Sequence, residues 1–319
     1  MARRTNTKVK EIEKANLKIA EKPKKKADLK VAQNPITKCK PYNDIDLNNW
    51  KNYSHVQTNS LWLFPSRDNS GKHSNEYHGN YIPQLAQQFF ERFTKKKDIV
   101  LDLFLGSGTS AIEALNMGRR CIGVELKPEL AQHVADKFSP KELVTDVNII
   151  SADSTSEEAK EKVQARLEIM GEEKAQFLVL HPPYDDIIKF SNKKEDLSNC
   201  STTEEFYDMF EKVAKNGYDL LEDGRFAALI IGDKYSKGEY KLLSFGCDQR
   251  MEKLGFKLKA VIVKDIQGNE RAKGKNANLW RYRALFGGFY NFGHEYIFIY
   301  EKPQSKKLKK TKKNAKLVA

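Results

Sequence analysis

Residues 98–113, D-I-V-L-D-L-F-L-G-S-G-T-S-A-I-E, decide the fold. Residues 99–103 form a mostly apolar run of strand length, residues 104–109 hold two glycines and two hydroxyl residues, and a helical pattern begins at Ser110. A buried strand that leads through a glycine-rich turn into a helix frames nucleotide-type ligand sites. The stretch therefore predicts a strand–turn–helix unit with a ligand at the tip of the strand.

The composition of the turn narrows the class of ligand. Gly106 and Gly108 let the backbone bend sharply and come close to a bound molecule. Ser107 or Thr109 can cap the helix that follows. The turn is neither the dinucleotide-binding G-x-G-x-x-G nor a phosphate loop, because it lacks the Gly-Lys-Ser/Thr ending.

The next apolar run, residues 121–126 (C-I-G-V-E-L), carries an acid at its end. An acid at the tip of a second strand can accept hydrogen bonds from both hydroxyls of a ribose. A bare Gly-x-Gly with a nearby Glu also describes a structural turn with a surface carboxylate. The complete D-x-F-x-G-S-G-T string together with Glu125 favours a ligand that contains adenosine.

Residues 101–109 resemble the S-adenosylmethionine motif of the DNA amino-methyltransferases, which modify adenine at N6 or cytosine at N4. A second stretch strengthens the resemblance: residues 177–184 read F-L-V-L-H-P-P-Y, and in that family a strand ends in Asp, Asn or Ser followed by Pro-Pro and an aromatic residue. The resemblance implies S-adenosylmethionine as the cofactor. The residues that it implies for cofactor binding are Tyr81, Pro83, Asp102, Phe104, Gly106, Ser107, Gly108, Thr109, Glu125 and Asp153.

Two of these assignments have an alternative. Residues 77–84 resemble the segment that closes over the methionine end of the cofactor in the family, but they also read as an ordinary capped helix start with Asn80 as the cap and Pro83 in the first turn. Asp153 matches the acid that binds the exocyclic amine of the cofactor adenine. It could instead cap the helix predicted at residues 157–170.

The resemblance gives His181, Pro182, Pro183 and Tyr184 the catalytic roles. An exocyclic nitrogen is a poor nucleophile because its lone pair is conjugated with the ring, so a site must accept its N–H hydrogens and hold it in line with the methyl carbon. Two prolines keep the backbone extended. In the family, the carbonyl between them faces the site, and the aromatic ring stacks on a flipped-out base.

His181 departs from the common family pattern of Asp, Asn or Ser at this position. A neutral imidazole accepts one hydrogen bond through its unprotonated nitrogen and could also take up the released proton. The departure leaves the target base open between adenine and cytosine. It also admits a member of the family that has lost activity.

Strands and helices alternate along residues 99–231, and two further strands follow at residues 256–264 and 295–302. This order predicts a Rossmann-like, mostly parallel sheet with helices on both faces and an antiparallel edge strand. We expect a methyltransferase domain at residues 46–302, between a basic, disordered N-terminal tail (residues 1–45) and a basic C-terminal tail (residues 303–319).

Residues 265–292 are the candidate insertion that contacts nucleic acid, because basic residues alternate there with aromatic ones. The predicted contacts are Arg271, Lys273, Lys275, Trp280, Arg281 and Arg283. The aromatic residues could equally pack under a hairpin. A target-recognition segment this small implies a short target sequence, weak selectivity, or a partner that carries the specificity. That partner would be a specificity subunit or a second copy in a homodimer.

The whole chain of 319 residues carries a net charge of +13, which suits a polyanionic partner such as double-stranded DNA. Its four scattered cysteines form no Cys-x-x-Cys pair, so no zinc site is predicted and a reduced, intracellular setting in the cytoplasm, close to the nucleoid, is expected. No apolar run reaches the length of a membrane span.

The sequence predicts a DNA methyltransferase. It does not decide whether the protein belongs to a restriction-modification system. The alternatives are methylation of an RNA base or of a protein glutamine, for which a related Asn-Pro-Pro-Tyr is used, and a catalytically silent subunit that binds nucleic acid.

Overall fold

A sheet of eight strands forms the centre of the molecule, and all but one of them run in the same direction. The computed structural model describes residues 42–73, 77, 79–236, 238–266 and 277–305. The strands are β1 (Leu61–Trp62), β2 (Ile99–Asp102), β3 (Arg120–Glu125), β4 (Val147–Ser151), β5 (Ala175–Leu180), β6 (Leu221–Ile231), the short β7 (Lys234–Ser236) and β8 (Glu239–Lys241), β9 (Lys257–Asp265) and β10 (His294–Glu301).

The helices are α1 (Pro83–Phe93), α2 (Thr109–Asn116), α3 (Pro128–Ala135), α4 (Pro140–Thr145), α5 (Glu157–Ile169), α6 (Thr203–Leu220), α7 (Leu243–Lys253) and α8 (Ala277–Gly287). Short 3-10 helices occupy Leu47–Tyr53, Asp185–Ile187 and Leu197–Asn199. None of the helices in these described ranges combines the length and apolar character that a membrane crossing requires.

The strand order in the main sheet is β1-β9-β10-β6-β5-β2-β3-β4. Neighbours from β6 to β4 pair in parallel, and β10 pairs antiparallel with both β6 and β9. This confirms the predicted mostly parallel fold. The predicted antiparallel strand is β10, and it lies between β6 and β9 rather than at the outer edge of the sheet.

Side chains alternate between the two faces of the sheet, so each face has its own hydrophobic core. On one face α5, α6 and α7 pack through Val163, Phe210 and Met251. On the other face α1, α2 and α3 pack through residues such as Phe89 and Val134. Helices therefore cover both faces, as the sequence predicted.

Helix α2 begins differently from the prediction. Gly108 occupies the position before the helix with a left-handed φ of 89°, and no side chain caps the first turn. The predicted cap by Ser107 or Thr109 is therefore wrong. The hydroxyl that matters is that of Ser110, which donates to the carboxylate of Asp102 at the end of β2.

Because their strands are parallel, the carboxyl ends of β2, β3, β4, β5 and β6 meet at one edge of the sheet. The register of β10 brings its first residues to the same edge, since Tyr296 pairs with Ile231 and His294 pairs with Asp265. Residues from six strands can therefore contribute to one site.

Candidate active site

A cavity opens at the carboxyl edge of β2, β3, β4 and β5 and holds about 820 Å³ of space between atoms, part of it open to solvent. Six residues predicted to bind the cofactor line it: Tyr81, Phe104, Gly106, Thr109, Glu125 and Asp153. His181, Pro182 and Pro183 line the same cavity. The structure thus brings the glycine-rich turn and the His-Pro-Pro sequence together around one space.

Four other residues predicted to bind the cofactor do not line the cavity: Pro83, Asp102, Ser107 and Gly108. Pro83 is the first residue of α1, and the Ser107 carbonyl accepts a hydrogen bond from Lys137. A Cβ on Gly108 would lie 2.6 Å from Cγ1 of Val134, whereas a Cβ on Gly106 would lie 3.4 Å from the Tyr77 ring. Gly108 therefore allows close packing of helix α3, and Gly106 is the glycine that faces the cavity.

Asp102 fixes the turn from within the core. Its side chain is fully buried, accepts a hydrogen bond of 2.9 Å from the Phe104 backbone N–H, and accepts another from the Ser110 hydroxyl. The Tyr81 hydroxyl pairs with the same Ser110 oxygen. Burial raises the pKa of Asp102 to about 6. Asp102 thus joins the start of the turn, the first turn of α2 and the segment before α1.

Glu125, at the end of β3, is a buried carboxylate that lines the cavity. Its two oxygens accept hydrogen bonds of 3.0 Å from the backbone N–H groups of Gly106 and Lys127. Burial raises its pKa to about 7, and these two hydrogen bonds oppose the rise. Each carboxylate oxygen has a second lone pair available for a hydroxyl donor.

Asp153, in the turn after β4, lines the cavity and also stabilises its own turn. Its carboxylate accepts hydrogen bonds from the backbone N–H and the hydroxyl of Thr155, at 2.9 and 2.7 Å. The residue that caps helix α5 is Ser156, whose hydroxyl accepts the Ala159 N–H. The alternative role of Asp153 as the cap of this helix is therefore wrong.

Two loops meet over the cavity. The Tyr77 ring stacks on Phe190 from the loop after β5, with centroids 6.0 Å apart and an interplanar angle of 28°. The Lys127 ammonium lies 5.3 Å from the Tyr77 ring centre. The contacts of Phe190 and Lys127 with Tyr77 join distant loops, so no local sequence pattern signals them.

The segment before α1 lies at the cavity, as predicted, but does not cap the helix as predicted. Tyr77, Asn80 and Tyr81 line the cavity, and Arg67 donates a hydrogen bond of 3.0 Å to the Tyr81 carbonyl. Asn80 does not cap α1, since Ile82 occupies the cap position and no side chain bonds to the helix start. Pro83 opens the first helical turn, as predicted.

His181 directly follows β5 and touches two aromatic rings edge to face. The centroid of the Tyr81 ring lies 5.4 Å away, and that of the Tyr184 ring lies 5.7 Å away. Burial lowers the pKa of His181 to about 4, although the charge of Glu295 opposes this fall and that of Lys264 adds to it. His181 is therefore neutral at physiological pH, and it has one hydrogen-bond acceptor.

Tyr184 lies outside the cavity lining, unlike the two prolines before it. Its ring packs against Gly232, where an added Cβ would lie 2.9 Å from the ring. Its hydroxyl donates to Glu295 at 2.7 Å, and burial together with Glu295 raises its pKa well above the ordinary value. The next residue, Asp185, has a left-handed φ of 53° and forms an ion pair of 2.7 Å with Lys234.

Sequence reasoning missed Glu295 as a partner of the site, although it predicted that the last strand begins at this residue. Glu295 also forms an ion pair of 3.0 Å with Lys264 of β9. The two side chains are only 11% and 9% exposed. No local pattern in the sequence signals the contact between Tyr184 and Glu295, because Tyr184 lies in the loop after β5, Glu295 lies at the start of β10, and β6 separates these two strands in the sheet.

Of the candidate nucleic-acid segment, residues 265–266 and 277–292 are described, so Arg271, Lys273 and Lys275 lie outside the described residues, as does the side chain of Trp280. Arg281 and Arg283 are exposed on α8. Tyr282 and Phe286 stack on each other with Phe286 84% exposed. Phe289 and Phe292 instead pack against Tyr235 at centroid distances of 5.3 and 5.2 Å, so part of the aromatic set packs under a hairpin.

The sequence profile of a family described as DNA methylase matches residues 4–136 and 175–318. The Type II methyltransferase M.BglI of Bacillus subtilis is 30% identical over 90 residues, which are 28% of this chain and 24% of that protein. The Type II methyltransferase M.MjaII of Methanocaldococcus jannaschii is 40% identical over 52 residues, 16% of this chain and 10% of that protein. These alignments therefore span less than a quarter of either relative.

Among solved structures, TrmN from Thermus thermophilus is similar with a TM-score of 0.46 and 16% identity, covering 70% of this chain and 50% of that one. This similarity is too low to indicate a substrate.

Proposed function

The chain belongs to the DNA methylase family, and on that premise we propose that it transfers a methyl group from S-adenosylmethionine to the exocyclic amine of a DNA base, cytosine N4 or adenine N6. The observation that carries the proposal is the shared cavity. Gly106 after β2 and Pro182 after β5 line the same space, because β2 and β5 are neighbours in the sheet. A methyl donor and an amine can be held within bonding range there.

Family membership makes S-adenosylmethionine the cofactor, and the residues around the cavity fit it. The buried Glu125 carboxylate has lone pairs for two ribose hydroxyls, and Gly106 lets a ligand come close to the backbone. Asp153 keeps its carboxylate at the cavity while holding its own turn. We assign the adenosine part to this side, with Tyr77 and Phe190 as its cover.

The bound cofactor supplies a methyl group on a positively charged sulfur. The residues after β5 prepare the acceptor: we propose that the neutral His181 and the Pro182 carbonyl each accept one N–H of the target amine, which returns its lone pair to nitrogen. The nitrogen then bonds to the methyl carbon while the carbon–sulfur bond breaks and its electron pair stays on sulfur. The proton that the nitrogen loses passes to the unprotonated imidazole nitrogen of His181 and from there to water. Positioning of this kind accounts for several kcal/mol of barrier reduction.

Tyr184 has a different role in this proposal from the open stacking surface that the resemblance implies. One part of its ring lies against Gly232, and its hydroxyl is bonded to Glu295. We assign it to the wall that holds His181, with base stacking left to rings that face the cavity. A base within a duplex cannot enter this cavity, so the target base has to be flipped out.

We propose that helix α8 and the segment before it contact the DNA. The connection between β9 and β10 starts and ends at the same edge of the sheet as the cavity, because β9 ends there and β10 begins there. Its exposed arginines suit phosphates, and its exposed rings suit unstacked bases. The same proposal takes residues 46–302 as the catalytic domain. Its partner is either a specificity subunit or a second copy of the chain.

The direct test is transfer of a radiolabelled methyl group from S-adenosylmethionine into DNA, RNA or protein, with the His181→Ala variant as control. We expect label in DNA, on N4-methylcytosine or N6-methyladenine after digestion, and loss of label with the variant. Label confined to RNA or to protein would replace DNA as the substrate. Cofactor binding without transfer to any of the three would favour the catalytically silent subunit.

A further inference from the structure

Four polar groups form a continuous chain from β9 to the end of β5. The Lys264 ammonium lies 3.0 Å from one oxygen of Glu295, and the other oxygen accepts the Tyr184 hydroxyl at 2.7 Å. The same Tyr184 hydroxyl lies 3.3 Å from Nε2 of His181. These side chains are at most partly exposed, so solvent has limited access to the chain of contacts.

The direction of each hydrogen bond follows from the number of protons available. A carboxylate can only accept, and one oxygen of Glu295 is already paired with the Lys264 ammonium at 3.0 Å. Tyr184 has one hydroxyl proton and gives it to Glu295. The hydroxyl oxygen can then only accept from His181, so Nε2 of the neutral imidazole must carry the proton.

We infer that Glu295 is a positioning residue that fixes His181 in the tautomer with a proton on Nε2 and a free lone pair on Nδ1. The inference rests on the proposed function, in which the imidazole accepts an N–H of the target amine. The Tyr81 hydroxyl does not compete with that of Tyr184 for the imidazole, because the Tyr81 ring meets His181 edge to face and its hydroxyl pairs with Ser110. The opposite tautomer would present an N–H to the N–H of the amine.

Glu295→Gln is the informative variant because it keeps the shape and reverses the hydrogen bonds. The Lys264 ammonium can only donate, so it takes the amide oxygen and leaves the amide N–H to face the Tyr184 hydroxyl. The hydroxyl then accepts from the amide and donates to Nε2 of His181. The imidazole proton moves to Nδ1, and the acceptor for the target amine is lost.

Two readouts separate this role from a structural one. The nitrogen chemical shifts of 15N-labelled histidine report the tautomer, and we expect Nε2–H in the wild type and Nδ1–H in Glu295→Gln. We expect kcat for methyl transfer to fall on the order of 10- to 100-fold while KM for S-adenosylmethionine stays within about twofold. Tyr184→Phe removes the bridge, so it should lower kcat and leave a mixture of tautomers.

The matched control is Glu301→Gln on the same strand, which removes a carboxylate paired with Lys259 at 3.0 Å and should change neither readout. An unchanged tautomer in Glu295→Gln would overturn the inference, as would an unchanged kcat. The NMR measurement needs no methyl acceptor, so it remains informative if the protein methylates something other than DNA. Absence of any methyl transfer by the wild type would overturn the proposed function alone.

Discussion

Tyr77 and Phe190 stack across the cavity with their ring centres 6.0 Å apart, although they belong to different loops. Phe190 also lies over Gly79, where a Cβ would come within 2.8 Å of the ring. Both rings line the cavity. The contact therefore joins the segment before α1 to the loop after β5, so that one pair of side chains covers the space between the glycine-rich turn and His-Pro-Pro.

Replacing Phe190 by Ala should weaken the binding of S-adenosylmethionine about three- to tenfold, because an aromatic pair contributes about 0.5–1.5 kcal/mol beyond its buried area. Isothermal titration calorimetry measures the affinity. Phe245→Ala is the control, since Phe245 packs on Tyr296 and Phe298 away from the cavity lining. Equal affinities for the wild type and Phe190→Ala would show that the aromatic pair does not cover the cofactor.

The two glycines of the turn should differ in what they tolerate. Gly108→Ala places a Cβ 2.6 Å from Val134 at a left-handed φ, so we expect a loss of about 2–4 kcal/mol of unfolding free energy. Gly106→Ala meets only ordinary contacts in the cavity and should lose about 1 kcal/mol of stability, with a larger effect on cofactor affinity. Urea unfolding and calorimetry on both variants test this, and the reverse order would contradict it.

Asp102 should make stability depend on pH in a predictable direction. Burial raises its pKa to about 6 from the ordinary 3.8, so the folded protein keeps a proton that the unfolded chain releases. Its stabilising contribution is present at low pH and is lost as the pH rises from about 4 to about 6. Asp102→Asn retains an acceptor for the Phe104 N–H, presents an N–H donor to the Ser110 oxygen in place of the carboxylate acceptor, and does not titrate.

The free energy of unfolding of the wild type relative to Asp102→Asn should therefore fall by up to about 3 kcal/mol across this window. Denaturant unfolding at several pH values gives the difference directly, because the other titrating groups are common to both proteins. A difference that stays constant between pH 4 and 7 would mean that Asp102 is ionised throughout.

Cofactor binding should strengthen as Glu125 ionises. Burial raises the pKa of Glu125 to about 7, and the ribose hydroxyls need the carboxylate form as a full acceptor. We expect affinity for S-adenosylmethionine to increase about tenfold between pH 6 and pH 8 on this account. Glu125→Gln should show only the pH dependence of the cofactor itself. Parallel curves for the two proteins would remove Glu125 from the binding step.

The sheet could be predicted from sequence because the parallel strands contain apolar runs that are followed within a few residues by a polar side chain, a glycine or a proline. Asp102, Glu125 and His181 stand at such ends, so their common edge follows from the parallel pairing. The position of β10 could not be predicted in the same way. It is inserted between β6 and β9, and no local pattern distinguishes this from an edge.

The parts of the site that escaped prediction depend on contacts between distant residues. Tyr184 meets Glu295, and Tyr77 meets Phe190, only after the sheet and loops have formed. The hydroxyl of Ser110 was overlooked because cap preferences point to the residues just before a helix, whereas here a buried carboxylate attracts the hydroxyl inside the first turn. Propensity rules contain no information on such a partner.

Helix α8 gives the last prediction, which concerns DNA affinity. Arg281→Gln removes one exposed cation, and each phosphate contact contributes about one unit to the slope of log K against log salt concentration. We expect the slope to decrease by about one unit with little change in cofactor affinity. Fluorescence anisotropy with a labelled duplex at several salt concentrations measures both the affinity and its slope.

Lys162→Gln on α5 is the matched control, because Lys162 pairs with Glu158 on its own helix. Phe286→Ala complements it: loss of a highly exposed ring should weaken binding to a duplex with a mismatched, easily flipped base more than it changes the salt slope. If Arg281→Gln and Lys162→Gln shift the slope equally, the charge of α8 acts only as part of the general positive field. A shift confined to Arg281→Gln places α8 on the phosphates beside the flipped base.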